Sequence, residues 1–352
     1  MYTRTLRFGM LGLAAIGLFG CSQLDANAPQ TVMGKAYSYP LDQTLALQHI
    51  QVRGTHNSYH IDTNEGRVEP WQYTHAPLYD QLDRLGIRQL ELDVSYDAID
   101  GLSVIHVPYV DTGTRCARFV DCLREIRRFS EAYPGHLPIF IQIEPKAGIP
   151  SDEIEDFFGS LEGEILSVFP KTSVVTPEEV RGDFSSLSDA VKSRGWPRLG
   201  LLRGRVLFAF DAMGTTRAAY THNNRDLNGR LLFVDSRPSD PFGAIAVLND
   251  PIADAAAISQ SIAANFLVRT RADADTVEAR KGDTSRATAA LQSAAHFVST
   301  DFPEEGSGFP YRFVVPSGAP ARCNPKTAPK ECTPLALEDP AFVGSYVPQY
   351  LR

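Results

Sequence analysis

The chain has 352 residues, 43% of them hydrophobic and 22% charged, with 26 Gly and 24 Pro. That mixture excludes a disordered, collagenous or coiled-coil chain, and the length suffices for one large α/β barrel or two mid-sized domains. A formal charge of −8 excludes a protein that grips nucleic acid through surplus Lys and Arg, so no nucleic-acid partner is expected.

Arg4 and Arg7 precede an uncharged apolar run over residues 8–20, the order of a secretory signal. The run is too short to cross a bilayer as a helix. Leu18-Phe19-Gly20-Cys21 resembles a bacterial lipoprotein processing site, which implies an exported chain anchored to the cell envelope through lipid on Cys21. Plain secretion with cleavage near Ala26 or Ala28 is the alternative. Loss of residues 1–20 removes two arginines and no acid, leaving the chain more negative still. Residues 21–45 are polar and irregular and read as a tether. Cys116, Cys122, Cys323 and Cys332 remain as two close pairs, and an even count in an exported chain suggests disulfides. Of the three possible connectivities the local one, 116 with 122 and 323 with 332, is favoured by proximity. It requires Cys116 to precede its helix, because helical positions six apart are too distant to bridge. No Cys and His spacing reads as a zinc site.

Nine strand candidates follow: 49–55, 88–94, 102–107, 137–144, 205–211, 231–235, 244–249, 266–271 and 296–301. Several are unbroken β-branched and aromatic runs, as in a parallel sheet covered on both faces. Between them, Ile154, Phe157, Phe158, Leu161, Ile165 and Val168 make a stripe of period 3.6, and Asp152 with Glu155 reads as its capping box. Thr176-Pro177-Glu178-Glu179 is a second helix start, and 252–264 and 285–295 are Ala-rich helices. The alternation predicts an α/β fold, a somewhat irregular (β/α)8 TIM barrel over residues 46–302. Nine strands is one too many, so either 231–235 or 244–249 is expected to be peripheral. Residues 303–352, rich in Pro and Gly, read as a Cys-strapped C-terminal extension packed on the barrel.

In a parallel barrel the chemistry sits at the carboxyl ends of the strands. The first run ends in His56-Asn57, the second holds Glu91-Leu92-Asp93, the third ends at His106 and the fourth at Glu144-Pro145-Lys146. Glu91 and Asp93 share one face of their strand and repel unless a cation or a proton lies between them. Asn57, Glu91, Asp93 and Glu144 form an all-oxygen ligand set suited to Ca2+, or less well to Mg2+. His56 and His106 are then free for acid–base work beside the metal, which is what cleavage of a phosphodiester requires.

This order resembles the calcium-dependent phosphatidylinositol-specific phospholipases C, in which successive strands carry His-Asn, Glu-x-Asp, His and Glu. The stretches Thr176-Pro177…Val180-Arg181-Gly182 and Gly195-Trp196-Pro197…Leu202-Arg203-Gly204 are similar to the bacterial branch, so the resemblance spans about residues 47–302. It implies Ca2+ on Asn57, Glu91, Asp93 and Glu144, with His56 and His106 acting on the phosphate. It also implies attack by the inositol 2-hydroxyl, with Glu91 or Glu144 as base, giving diacylglycerol and a cyclic inositol phosphate that water opens. Lys146, Arg269 and Arg271 are the candidate substrate-binding cations. Lysine is scarce, which favours an inositol lipid without extra phosphates. The expected partner is a phospholipid at a membrane surface, approached through rim loops such as 109–114. No protein partner is implied, and a monomer is expected.

Each residue also has a structural reading. Lys146 is a solvated surface cation in one, and Arg271 pairs with Asp273 or Asp275. Asp301 is either a site residue of the last strand or a turn cap. His60, His75, His136, His222 and His296 are read as structural or surface. Three rival functions remain: a glycerophosphodiester phosphodiesterase, a phospholipase C for phosphoinositol sphingolipids, and a non-catalytic lipoprotein that binds a lipid headgroup or glycan.

Overall fold

Ten strands form one sheet in the computed structural model, which describes residues 39–63, 67–146, 149–305, 308–316 and 320–339. They are β1 Ile50–Thr55, β2 Gln89–Asp97, β3 Gly101–Val104, β4 Ile139–Pro145, β5 Val206–Phe210, β6 Phe233–Val234, β7 Ile245–Val247, β8 Leu267–Arg271, β9 Phe297–Thr300 and β10 Ala321–Cys323. Eight of them run parallel in the order β6-β5-β4-β2-β1-β9-β8-β7, and a parallel bridge from Asp235 to Ile245 joins the two ends. The result is the expected (β/α)8 barrel. Its parallel strands are almost wholly buried, which is why they read as unbroken apolar runs.

The surplus strand is not where the sequence placed it. Both 231–235 and 244–249 enter the barrel, as β6 and β7. The extra run is 102–107: β3 folds back antiparallel on β2, with Val94 opposite Val104 and Asp97 opposite Gly101. The connection is the reason. So short a loop permits a hairpin, whereas a parallel return needs about a dozen residues or more.

Register decides what lines the interior. Gln89, Glu91 and Asp93 lie opposite Phe140, Gln142 and Glu144, and Val247 and Phe297 flank Arg269. Low in the barrel, Phe140 stacks on Phe297 at 4.2 Å. One layer higher the interior turns polar, with Glu91, Gln142 and Arg269, and the rim above holds Asp93, Glu144 and Arg271. Gly54 lets β1 approach β2, since a Cβ there would lie 1.7 Å from the Gln89 Oε1.

The C-terminal extension completes the barrel floor. β10 pairs antiparallel with Ile50–Val52, and the Asn324 amide donates to the His49 carbonyl at 2.9 Å. The Arg53 carbonyl, of the same parity, accepts from Arg88. β10 and β2 therefore share one edge of β1, β10 below and β2 above. Arg88 and Glu338, both fully buried, pair at 2.5 Å and tie the extension beneath β2. Disulfides join Cys116 to Cys122 and Cys323 to Cys332; Cys116 precedes the helix Phe119–Ala132, as required, and Cys122 lies within it.

Two local expectations are corrected. Residues 39–45, read as the end of the tether, pack on the barrel: Leu45 is fully buried, and Asp42 pairs with Arg203 at 2.8 Å. The helix Ile154–Val168 starts after Glu153 with no side-chain cap, so Asp152 and Glu155 make no capping box. Thr176 does cap its helix, accepting from the Glu179 amide. The signal and Cys21 lie outside the described residues. Among those residues no helix is long and apolar enough to cross a membrane.

Candidate active site

The barrel brings the predicted rim residues together. One oxygen from each of Glu91, Asp93 and Glu144 lies within 4.8 Å of the other two. Asp93 is fully buried, Glu91 nearly so, and Glu144 is the open member. Asn57, in the left-handed region at φ 41°, turns its side chain to the same place. Its amide nitrogen donates to both Asp93 oxygens at 3.1 and 3.2 Å, and its oxygen accepts from the Tyr73 hydroxyl at 3.2 Å. Rotating that amide by half a turn presents the oxygen instead, as a cation requires.

Two protein cations offset the three carboxylates. The Lys146 ammonium lies 3.0 Å from Asp93 and 2.7 Å from Glu144. Arg269, buried at the next layer down, pairs with Glu91 and Asn249. Gln142 donates to Glu91 at 3.2 Å and to Asp211 at 2.9 Å. Burial pushes Asp93 well above the usual carboxylate range, opposed by Lys146. Burial would lower Lys146, but Asp93 and Glu144 carry it above the ordinary lysine value. The all-oxygen donors, three of them acidic, fit a hard divalent cation such as Ca2+.

Each predicted catalytic histidine is backed by a carboxylate. His56 Nδ1 lies 2.7 Å from Asp301 Oδ1, and Arg271 donates to Asp301 Oδ2 at 3.0 Å. Burial, then Arg271, lowers His56 well below the ordinary histidine range. His106 Nδ1 lies 2.8 Å from Asp111 Oδ2, and the Trp71 ring meets the His106 ring edge-on at 5.2 Å. His106 follows the hairpin strand β3, not a barrel strand, and returns to the rim because β3 runs back along β2. Both imidazoles keep a partly exposed edge. Arg269 and Arg271 reach the site, but as partners of carboxylates.

Sequence reasoning missed several members. Asp211 directly follows β5 beside Gln142, and burial, then Asp235, Glu144 and Glu91, raise it to about 7. The strand-end criterion used for the first four runs, extended to 205–211, points to it. Asp111 and Tyr73 sit in loops with no local signature. His60, read as structural, lies against Asp111.

A parallel barrel with an acidic oxygen cluster and two carboxylate-backed histidines on its C-terminal rim is a barrel hydrolase of the metal-assisted kind. The sequence model of the Ca2+-dependent phosphoinositide phospholipase C family matches residues 45–102 and 98–325, and the chain belongs to that family. It is a calcium-dependent phosphoric diester hydrolase. Among solved structures it is similar to a calcium-dependent phosphoinositol-specific phospholipase C from Pseudomonas in a myoinositol complex. There the TM-score is 0.57 at 18% identity, over 82% of this chain and 99% of that one. It is also similar to a Ca2+-dependent phosphatidylinositol-specific phospholipase C from Streptomyces antibioticus, with TM-score 0.54 at 19% identity, over 74% of this chain and 95% of that one. No curated protein sequence matches.

Proposed function

We propose that this enzyme cleaves phosphatidylinositol-type lipids at a membrane surface. The inositol 2-hydroxyl oxygen bonds to phosphorus, the bond from phosphorus to the diacylglycerol oxygen breaks, and diacylglycerol leaves a 1,2-cyclic inositol phosphate. Asn57, Glu91, Asp93 and Glu144 would hold Ca2+, which would lower the pKa of the attacking hydroxyl and offset charge on the phosphate. Glu144 takes the hydroxyl proton: it is the open carboxylate, whereas Arg269 and Gln142 hold Glu91. The exposed edges of His56 and His106 face the phosphate, and a protonated imidazole delivers a proton to the diacylglycerol oxygen. Water then opens the ring by the reverse proton path.

The observation that carries this reading is the placement of two histidines, each fixed by a buried Asp, on the rim that holds the acidic cluster. The headgroup is inositol without extra phosphates. Lys146, Arg269 and Arg271 already face carboxylates, so none of the three is spare for a further phosphate. The lipid surface meets the rim loops, where Ile99, Tyr109, Val110, Met213 and Ile252 are exposed. One chain supplies every group used, so the enzyme acts as a monomer without a protein partner. The two disulfides suit an exported protein. Its signal occupies residues 1–20, and Cys21 is its lipid anchor.

The test is release of water-soluble inositol phosphate from phosphatidylinositol vesicles, with calcium and with chelator, for wild type and His56→Ala. Calcium-dependent release that the variant loses is expected. No release by wild type sinks this reading, and glycerophosphodiesters and phosphoinositol sphingolipids are then the substrates to try.

A further inference from the structure

His60 is fully buried, and both of its ring nitrogens face acceptors. Nδ1 lies 3.0 Å from the Tyr73 carbonyl, which only accepts, so Nδ1 carries a hydrogen. Nε2 lies 2.9 Å from Asp111 Oδ2. That same oxygen lies 2.8 Å from His106 Nδ1. One oxygen thus meets two imidazole nitrogens, and counting protons restricts the arrangement. A proton must lie between His60 and Asp111, or two lone pairs would face each other at 2.9 Å, too close for water to separate them. Imidazole is the more basic partner, so His60 holds it. The remaining contact is then satisfied only by His106 carrying its hydrogen on Nδ1.

We propose that His60 and Asp111 are positioning residues for His106: a buried imidazolium–carboxylate pair that is neutral as a unit and fixes His106 with Nδ1–H inward and Nε2 toward the substrate. This rests on the reading of His106 as an acid–base group, and adds two residues that touch no substrate. The surroundings agree. The Tyr73 ring lies 4.4 Å from that of His60, a face suited to a cation, and the His106 ring meets His60 edge-on at 6.1 Å. Asp111 is held in place by reciprocal backbone bonds with Val107 at 2.9 and 3.1 Å. Its other oxygen, Oδ1, is buried with no hydrogen-bond partner among the described residues, so the carboxylate works through Oδ2 alone. Burial opposes ionisation of Asp111, yet bonds to His106 and His60 bring it down to about 2.

The pair does more than orient a ring. A lone carboxylate behind His106 would add a full negative charge to a site that already holds three acids. His60 cancels that charge while the hydrogen bond is kept, so His106 gains a fixed tautomer without a further negative charge at the site.

The experiment is long-range proton–nitrogen NMR of the full chain labelled at the histidine rings, with His60→Gln and His106→Gln to assign signals. At about pH 8, above the ordinary histidine range, the His60 ring should show both nitrogens protonated, and His106 should show hydrogen on Nδ1. In Asp111→Asn, His60 should become neutral. In that variant kcat on phosphatidylinositol should fall about 100-fold or more, with KM within about threefold. A neutral His60 in the wild type overturns the proposal even if the variant fails to fold. So does a folded Asp111→Asn chain that keeps the His106 tautomer and its kcat. If the wild type cleaves no inositol lipid, the spectra still decide the pair, and only the phospholipase reading falls.

Discussion

Lys146→Met isolates the charge balance of the acidic cluster. The ammonium lies 2.7 Å from Glu144 and 3.0 Å from Asp93, its side chain 22% exposed. At an effective dielectric of about 20 those distances correspond to gross attractions of about 6 and 5.5 kcal/mol, most of it offset by desolvation. Removing one partner from a buried pair costs about 3–5 kcal/mol, and partial exposure places this one at the lower end, about 3 kcal/mol. For a domain of this size that is about 5 °C in melting temperature. Calcium should reverse the loss. The methionine leaves all three carboxylates to the cation, and at a hundredfold excess over Kd binding contributes about 2.7 kcal/mol. The assay is thermal unfolding in chelator and in calcium, for both chains. An unchanged melting temperature in chelator, or a calcium shift no larger than in the wild type, would refute the reasoning.

Other outcomes follow from the same geometry. Asp301→Asn removes the carboxylate behind His56 while keeping its shape, so kcat should fall by about 100-fold or more with little change in KM; an equal loss in KM would point to substrate binding instead. Tyr109→Ser with Ile99→Ser should weaken vesicle binding severalfold, read by sedimentation, yet leave turnover of a short-chain soluble inositol lipid unchanged. Burial holds His136 at about 3 and His75 and His296 at about 4, below the unfolded value, so the unfolded chain binds more protons and stability falls as pH drops from about 6.5. By pH 4.5 each costs roughly 2–3 kcal/mol, and denaturant unfolding at that pH and at neutrality measures the slope. Together the three rival the whole stability of an ordinary domain, about 5–15 kcal/mol, and a flat profile would contradict their burial as neutral rings.

Legibility in the sequence followed the range of the forces involved. Strands such as 137–144 and 205–211 were readable because burial on both faces leaves an apolar run, and Glu91 with Asp93 because period 2 is local. The hairpin at 102–107 was miscast through composition, although the few residues separating it from 88–94 already ruled out a parallel return. Arg269 and Arg271 were legible as cations of the site, but their partners Glu91 and Asp301 come from other parts of the barrel, and no local pattern names them. Asp111 and His60 are further from reach still: they meet only because two loops fold over one rim, and each alone looks like turn chemistry.

The shared edge of β1 has a consequence for the order in which the chain assembles. β1 is made early, yet the lower half of that edge finds a partner only when Ala321–Cys323 arrives. Until then the amides of that edge stand open, a template for pairing with any other chain. Closure across so long a loop is slow, since its entropy must be lost before the contact repays it. Export from the N-terminus, as proposed above, would therefore leave the chain unfinished until nearly all of it had crossed, pliable during passage and fully folded only outside. Loss of the last strand would leave the rim residues in place and reopen that edge to pairing with another chain.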